Sequence, residues 1–185
     1  MMKWASRALN AIASLALVAV VVAQGSLPAA QADDLADALE NRPPHVSTSW
    51  DGTGAAGYDV VAFFTEGRAV KGKRAITAEY LGATYQFASE ENRALFLKDP
   101  AALTPQYGGF DAYGVRTGTK VRPIKELAWY LADEKLYLFG ADKTRGAWVE
   151  NPDGNRRVAD VIWGEIRTVP DKILRMAQDK ADAAN

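Results

Sequence analysis

The stretch AEYLGATYQFASEENRALFLKDP, Ala78–Pro100, carries three consecutive structural signals. Two runs with β-branched and aromatic residues, 74–80 and 83–88, are separated by a Leu-Gly pair, which predicts a β-hairpin. Ser89 then offers a hydroxyl to the free N–H groups of a helix start, and two glutamates follow it. Asp99 precedes a proline, so its backbone is disfavoured in the helical region. The stretch therefore predicts a hairpin followed by a short helix that ends at Asp99.

Further short strands and helices are expected downstream. Strand-like runs at 128–131 and 136–139 flank an Asp-Glu pair and predict a second hairpin. Helices are predicted at 143–150 and 157–166, with a turn between them and a helical C-terminal segment after them. No internal repeat is evident in the sequence.

Upstream, the stretch GYDVVAFF at Gly57–Phe64 is rich in β-branched and aromatic residues, which predicts a strand. Gly52, Gly54 and Gly57 match the spacing GxGxxG, but a dinucleotide site needs a helix after the glycines, so we interpret them as a turn. Short strands mixed with short helices indicate an α+β fold, with a small antiparallel sheet of hairpins and several short packed helices.

Residues 1–32 have the features of a secretory signal peptide. Lys3 and Arg7 precede the apolar run 11–23, and Ala30-Gln31-Ala32 supplies small residues at a cleavage position. This pattern predicts export to the periplasm or the exterior, with membrane contact only during export. An uncleaved anchor is the alternative interpretation.

The rest of the chain divides into an extended leader at 33–56, one domain at 57–166 and a helical tail at 167–185. The chain has no cysteine and a single histidine, His45. These absences exclude thiol chemistry, iron–sulfur clusters and cysteine-ligated zinc, so we predict no metal and no cofactor. Without Lys3 and Arg7 the formal net charge changes from −1 to −3, which does not suggest nucleic-acid binding.

Several stretches resemble the YHS domain family, in its exported branch of YHS domain-containing (seleno)proteins. The resemblance covers about Gly57–Trp163 and implies a YHS-like domain of unsettled biochemical role. The stretches that carry it are GYDVVAFF (57–64), AEYLGATYQFASEENRALFLKDP (78–100), PQYGGFDAYGV (105–115), GTKV (118–121), KLYLF (135–139) and Trp148.

The chain departs from this family at the positions that carry its chemistry. Short YHS modules are similar to metal-handling treble-clef-like domains, whose cysteines would fall at Ala88 and Asn92 of this chain. In the exported branch the residue after Gly-Gly-aromatic is commonly cysteine or selenocysteine, and here it is Asp111. The resemblance therefore implies neither a metal site nor thiol or selenol redox chemistry in this chain.

The stretch TPQYGGFDAYGV, Thr104–Val115, is the candidate site. Asp111 follows a glycine pair that lets the backbone approach a ligand closely, and it is predicted in the first turn of a helix. Asp111 is therefore either a helix-start residue or a ligand or catalytic contact. Asp59 is expected to cap a turn or to accept a hydrogen bond from Tyr107 or Tyr113. The candidate ligand-binding residues are Gly108, Gly109, Asp111, Tyr107, Tyr113 and Asp59.

Two classes of function follow. The first is a non-catalytic module that binds a small molecule or a periplasmic protein near Gly109 and Asp111. The second is an enzyme or metal-handling protein, with Asp111 as a base or ligand and Tyr107 or Tyr113 as a hydrogen-bond donor. A carboxylate buried in a concave pocket beside a second titratable group would favour the enzyme, whereas a solvent-facing carboxylate would indicate a vestigial site.

Overall fold

The structure is a computed structural model that describes residues 44–123 and 127–183, so the predicted signal peptide and the first part of the leader lie outside the described residues. Within these ranges the fold is α+β, as predicted, and none of the helices is long and apolar enough to cross a membrane. The elements are α1 (Val60–Thr65), β1 (Lys73–Tyr80), β2 (Ala83–Phe87), α2 (Glu90–Lys98), α3 (Pro100–Leu103), α4 (Ala112–Arg116), β3 (Ala128–Ala132), β4 (Lys135–Phe139), α5 (Asp142–Val149), α6 (Pro152–Ile166) and α7 (Asp171–Ala183).

The predicted hairpins are confirmed. Strands β1 and β2 pair antiparallel through a turn at Leu81-Gly82, and β3 and β4 pair in the same way through Asp133-Glu134. All four turn residues have positive φ, as a tight hairpin turn requires. Helix α2 begins after Ser89, whose hydroxyl accepts the Asn92 N–H at 3.2 Å, and it ends at Asp99.

The strand predicted at Gly57–Phe64 is wrong, because Val60–Thr65 forms helix α1. The Asp59 carboxylate accepts the N–H groups of Val61 and Ala62 and so supplies an N-terminal cap. Val60, Val61 and Phe63, which suggested a strand, are buried in this short helix, and Phe64 packs partly buried against the same core. Capping and burial thus override the weak β-propensity of the segment.

The turn predicted at Asn151–Gly154 is also wrong, because α6 already begins at Pro152. Asn151 caps it by accepting the Gly154 N–H at 3.1 Å, and proline is favourable in the first turn because its missing N–H has no helical partner. Asn151 and Pro152, which suggested a turn, instead start the longest helix in the described part of the chain.

The expectation of no internal repeat is wrong as well. Residues 55–103 and 107–155, here called the first and second copy, have the same order of elements, and most corresponding positions are 52 residues apart, as are Asp59 and Asp111. Each copy starts with three consecutive positive-φ residues, with φ of 49, 50 and 74° in the first and 54, 61 and 75° in the second. A capped short helix, a hairpin and two further helices follow in both.

Few residues are identical between the copies, which is why the repeat is not evident in the sequence. The identical pairs include Gly57/Gly109, Asp59/Asp111, Tyr85/Tyr137, Phe87/Phe139, Arg93/Arg145 and Pro100/Pro152. Most of these residues serve a turn, a helix cap or the core of their own copy. The repeat is therefore conserved in the positions that determine backbone geometry and core packing.

The two copies pack together through β4, which is buried on both faces. Its Tyr137 and Phe139 face the core of the second copy, whereas Leu136 and Leu138 belong to the core of the first copy. Strand β2 differs, because its Tyr85 and Phe87 are buried while Thr84 and Gln86 on the other face are only half-buried. The packing is therefore asymmetric, and the first copy keeps one partly open sheet face.

Segments on both sides of the copies complete the structure. The His45 N–H donates to the Arg167 carbonyl at 2.8 Å, and the Ser47 N–H donates to the Gly108 carbonyl at 2.7 Å. Val169 and Leu174, from the predicted tail, are buried in the core of the second copy. The described parts of the leader and the tail are thus packed against the repeat.

Gly108 provides a test of this packing, because a Cβ atom there would lie 2.3 Å from the His45 carbonyl oxygen. We expect Gly108→Ala to lower the free energy of unfolding by about 3 kcal/mol or more, since backbone atoms must shift. Gly82 also has positive φ but has no neighbour within 4 Å of its Cβ position, so Gly82→Ala should cost only about 1 kcal/mol. Urea unfolding of both variants measures the difference.

Ala56, which corresponds to Gly108 in the first copy, indicates that the clash with His45, and not the positive φ, makes Gly108→Ala costly. Ala56 has φ 50° and carries a Cβ, so alanine is compatible with this backbone geometry. Equal losses for the two variants would contradict the proposed clash with the N-terminal segment.

Candidate functional site

Asp111 lies at the N-terminus of α4 and is 2% exposed. Its Oδ1 accepts the Gly114 N–H at 2.9 Å. Its Oδ2 accepts the Gly140 N–H at 2.8 Å and the Thr144 hydroxyl at 2.7 Å. The carboxylate therefore joins the start of α4 to the corner between β4 and α5, and both oxygens are already engaged by protein donors.

Asp59 makes the same connection in the first copy and is 0% exposed. Its Oδ2 accepts the Ala88 N–H at 2.7 Å and an Asn92 side-chain N–H at 2.8 Å. These partners lie 29 and 33 residues away, the same separations that connect Asp111 to its own two distant partners. The expected hydrogen bond from a tyrosine to Asp59 is not formed among the described residues.

The two candidate tyrosines have other roles. The Tyr107 hydroxyl donates to Asp160 at 2.9 Å, and burial, followed by this carboxylate, raises the pKa of Tyr107. Tyr113 is half-buried, and its ring lies 5.3 Å from the Arg116 guanidinium carbon. Neither hydroxyl contacts Asp111 in the described structure, so the predicted pairing of a base with a tyrosine donor is not assembled there.

The glycine pair serves backbone packing. Gly108 lies against the His45 carbonyl, and the Cβ position of Gly109 faces Pro105 and Leu138. The structure thus brings Tyr107, Gly108, Gly109 and Asp111 together as one buried corner, while Asp59 belongs to the equivalent corner of the first copy. These residues do not line the open pocket described next.

A pocket of about 300 Å³ opens beside the half-buried face of β2. One wall is the segment from Ser47 to Thr53, which pairs with β2 at Thr84, and the other is formed by Lys71, Gly72 and Arg74, where the chain enters β1. Its lining is mostly polar: Ser47, Thr48, Ser49, Asp51, Thr53, Ala56, Gly57, Lys71, Gly72, Arg74, Gln86 and Pro123.

The second copy shows why this pocket exists. The Cβ position of Gly57 faces Gln86 and Thr53, whereas that of Gly109 faces Leu138 and Pro105 at the corresponding positions. Leu138 is buried against the first copy, so the equivalent space there is filled by apolar packing. In the first copy the same backbone arrangement carries a hydroxyl and an amide and remains open.

Sequence reasoning missed this pocket, although two signals were present. Hydroxyl residues are dense in 47–53, and the connection 67–73 combines glycines with basic residues. Each segment alone is typical of an exposed loop, and only the tertiary structure brings them together. A helix does follow the GxGxxG glycines, but the Asp59 carboxylate already occupies N–H groups at its N-terminus, so that terminus is not an anion site.

The described residues contain no group of three or more histidine or carboxylate side chains arranged to hold a metal ion. Ala88 and Asn92, where the resemblance would place cysteines, contact Asp59 instead. The atoms at that corner form hydrogen bonds within the protein.

Lys120 is an unusual buried cation, only 3% exposed. Its Nζ donates to the carbonyls of Arg167 and Val169 at 2.9 and 2.7 Å and lies 5.1 Å from the centre of the Trp163 ring. Burial lowers the pKa of Lys120 to about 8, partly offset by Asp171. This side chain holds the segment after α6 against the second copy.

The lowered pKa predicts a pH dependence of stability. Between pH 8 and the unfolded-state value near 10.5 the unfolded chain binds more protons at Lys120 than the folded chain, so stability rises with pH. From pH 7.5 to 9.5 the free energy of unfolding should increase by roughly 1–2 kcal/mol relative to Lys120→Met. For the exposed Lys98→Met variant, the free energy of unfolding should depend on pH as it does in the wild type. A pH dependence for Lys120→Met equal to that of the wild type would contradict the prediction.

Asp111→Ala tests the corner itself. The helix dipole alone suggests a loss on the order of 1 kcal/mol, but removing the carboxylate also leaves the Gly114 and Gly140 N–H groups without their acceptor, while the Thr144 hydroxyl keeps the Ala141 carbonyl. We therefore expect a loss of about 3 kcal/mol or more in the free energy of unfolding. Asp99→Ala is the control, since Asp99 is an exposed cap with one bond, to Ala102, and should cost about 1 kcal/mol. Similar losses for Asp111→Ala and Asp99→Ala in urea unfolding would show that the bonds from Gly140 and Thr144 to Asp111 add no stability.

Comparison with known proteins adds no relative on which to base a function. No protein-family model, no curated protein and no solved structure matches this chain. The function is therefore argued from the residues and their geometry.

Proposed function

We propose that this chain is an exported, non-catalytic binding module of the YHS type that holds a small polar ligand in the pocket between Ser47–Thr53 and Lys71–Arg74. The pocket carries the proposal, because its hydroxyl, amide and cationic groups surround open space. Its volume, about 300 Å³, is at the lower end of the range for small-molecule sites. The YHS assignment itself rests on the sequence stretches given above.

The arrangement of Asp111 supports a non-catalytic role for the Gly-Gly corner. A general base needs a free lone pair within reach of a substrate proton, and a ligand contact needs access. Asp111 is buried and accepts three hydrogen bonds from the protein. This is neither the open, coupled carboxylate that an enzyme would need nor a solvent-facing remnant, so we assign Asp111 a structural role.

Export is the second part of the proposal and rests on residues 1–32. The basic start, the apolar run and Ala30-Gln31-Ala32 predict a mature chain that begins at Asp33. N-terminal sequencing of the protein from periplasmic and medium fractions tests this. Recovery of the chain only in membranes with Met1 intact would contradict it.

Ligand binding can be tested by native mass spectrometry of the protein purified from its own cells without denaturation. We expect an added mass of a few hundred daltons, as the pocket volume implies. Gln86→Leu replaces the pocket amide by the residue of the second copy and should remove the added mass. Lys98→Gln, on the exposed side of α2, should retain it. Absence of any bound molecule in wild-type protein, together with no binding of the probes given below, would refute the binding proposal.

A further inference from the structure

The pocket contains two cationic groups on one wall. Lys71 Nζ donates to the Ala56 carbonyl at 3.0 Å and lies 3.6 Å from the centre of the Tyr58 ring, so the ammonium is held at the pocket edge. Arg74 is exposed, and its guanidinium forms no hydrogen bond or ion pair with another described residue. Its five N–H donors therefore remain available for an acceptor from outside the protein.

The other walls present neutral donors and acceptors. The Ser47 residue is 7% exposed, and its hydroxyl forms no hydrogen bond within the described residues. Thr53 and Gln86 form one long contact with each other, 3.5 Å from Nε2 to Oγ1, which a ligand group can replace. The lining includes no aromatic side chain, so flat rings have no stacking surface there.

One carboxylate also lines the pocket, and its charge is already engaged. Asp51 accepts the Ser49 hydroxyl at 2.7 Å and the Thr53 N–H at 3.1 Å, and the Ser49 bond is the main reason that its pKa is lowered. Asp51 stays ionised and orders the Ser47–Thr53 wall. The charged side chains in the lining are therefore two cations and one anion, a balance that favours an anionic ligand.

From these contacts we infer that the ligand is a small polyhydroxylated anion, such as a sugar acid or sugar phosphate. Its carboxylate or phosphate group binds Arg74 and Lys71, because a guanidinium matches both groups in a paired geometry. Its hydroxyls bind Ser47, Thr53 and Gln86. This inference rests on the proposed binding function and specifies its ligand class.

Another molecule of this protein is a poor occupant of the same surface. Where the first copy covers the second, the contact residues are Leu136 and Leu138, both fully buried. The corresponding residues on the open face are Thr84 and Gln86, which would lose water without apolar gain on such stacking. The polar replacement at both positions favours a hydrated small ligand.

Isothermal titration of the full chain with glucuronate, glucose 6-phosphate, inorganic phosphate and neutral glucose tests the inference. The two sugar anions should bind at least tenfold more tightly than glucose, because charge-assisted hydrogen bonds are the strongest contacts available. Inorganic phosphate, which lacks the sugar hydroxyls, should bind less tightly than glucose 6-phosphate. The preference between carboxylate and phosphate distinguishes the two sources of negative charge.

Variants of the pocket separate this inference from its alternatives. Arg74→Gln should weaken binding of the sugar anions about tenfold or more and leave glucose unaffected, whereas Lys98→Gln should change neither. Added salt should weaken the wild type more than Arg74→Gln. Both variants are at exposed positions, and their unfolding midpoints verify that they fold.

Four results would overturn the inference. Glucose bound as tightly as its anions, or sugar anions insensitive to Arg74→Gln, would refute the anionic class while leaving the pocket a binding site. A neutral molecule identified in the native mass spectrum would do the same. If sedimentation shows a dimer and Gln86→Lys dissociates it, another molecule of the protein occupies the pocket surface. That result would refute the binding of a small ligand.

Discussion

Each half of this protein depends on one buried carboxylate. Asp59 and Asp111 each cap a short helix with Oδ1 and fix the following strand-to-helix corner with Oδ2. A carboxyl group in a protein interior is tolerated only where hydrogen bonds replace its hydration, and here backbone and side-chain donors do so. The same requirement keeps the cap helix, the hairpin and the next helix in a constant arrangement in both copies.

The sheets of the two copies are not buried equally, because only the second sheet lies between the two cores. Strand β4 lies between the copies and carries Leu136 and Leu138 toward the first copy, so both of its faces are apolar. Strand β2 lies at the open end, where Thr84 and Gln86 replace those leucines. The pocket arises at this end because the N-terminal segment covers the strand only partly.

The polar groups that could bind a ligand therefore lie away from the Asp59 and Asp111 corners that the two copies share. In the exported YHS branch that we propose for this chain, cysteine or selenocysteine commonly follows the Gly-Gly-aromatic sequence, whereas this chain has Asp111 there as a buried hydrogen-bond acceptor. The polar groups that remain available lie instead at the end of the first copy. A binding function fits this distribution, since recognition needs accessible donors and a cavity, whereas catalysis at Asp111 would need a carboxylate released from its three partners.

Local signals in the sequence determined the hairpins, the Ser89 cap, the end of α2 and the α+β class, because turn residues, caps and proline act over a few neighbouring residues. Helix α1 was mistaken for a strand, because its cap, Asp59, is local but the core that buries its apolar side chains comes from distant parts of the chain. The sequence also pointed to Asp111 without revealing that Gly140 and Thr144 engage it. Only the tertiary structure brings residues 47–53, 71–74 and Gln86 into one pocket, because the stacking of the copies decides which sheet face stays open.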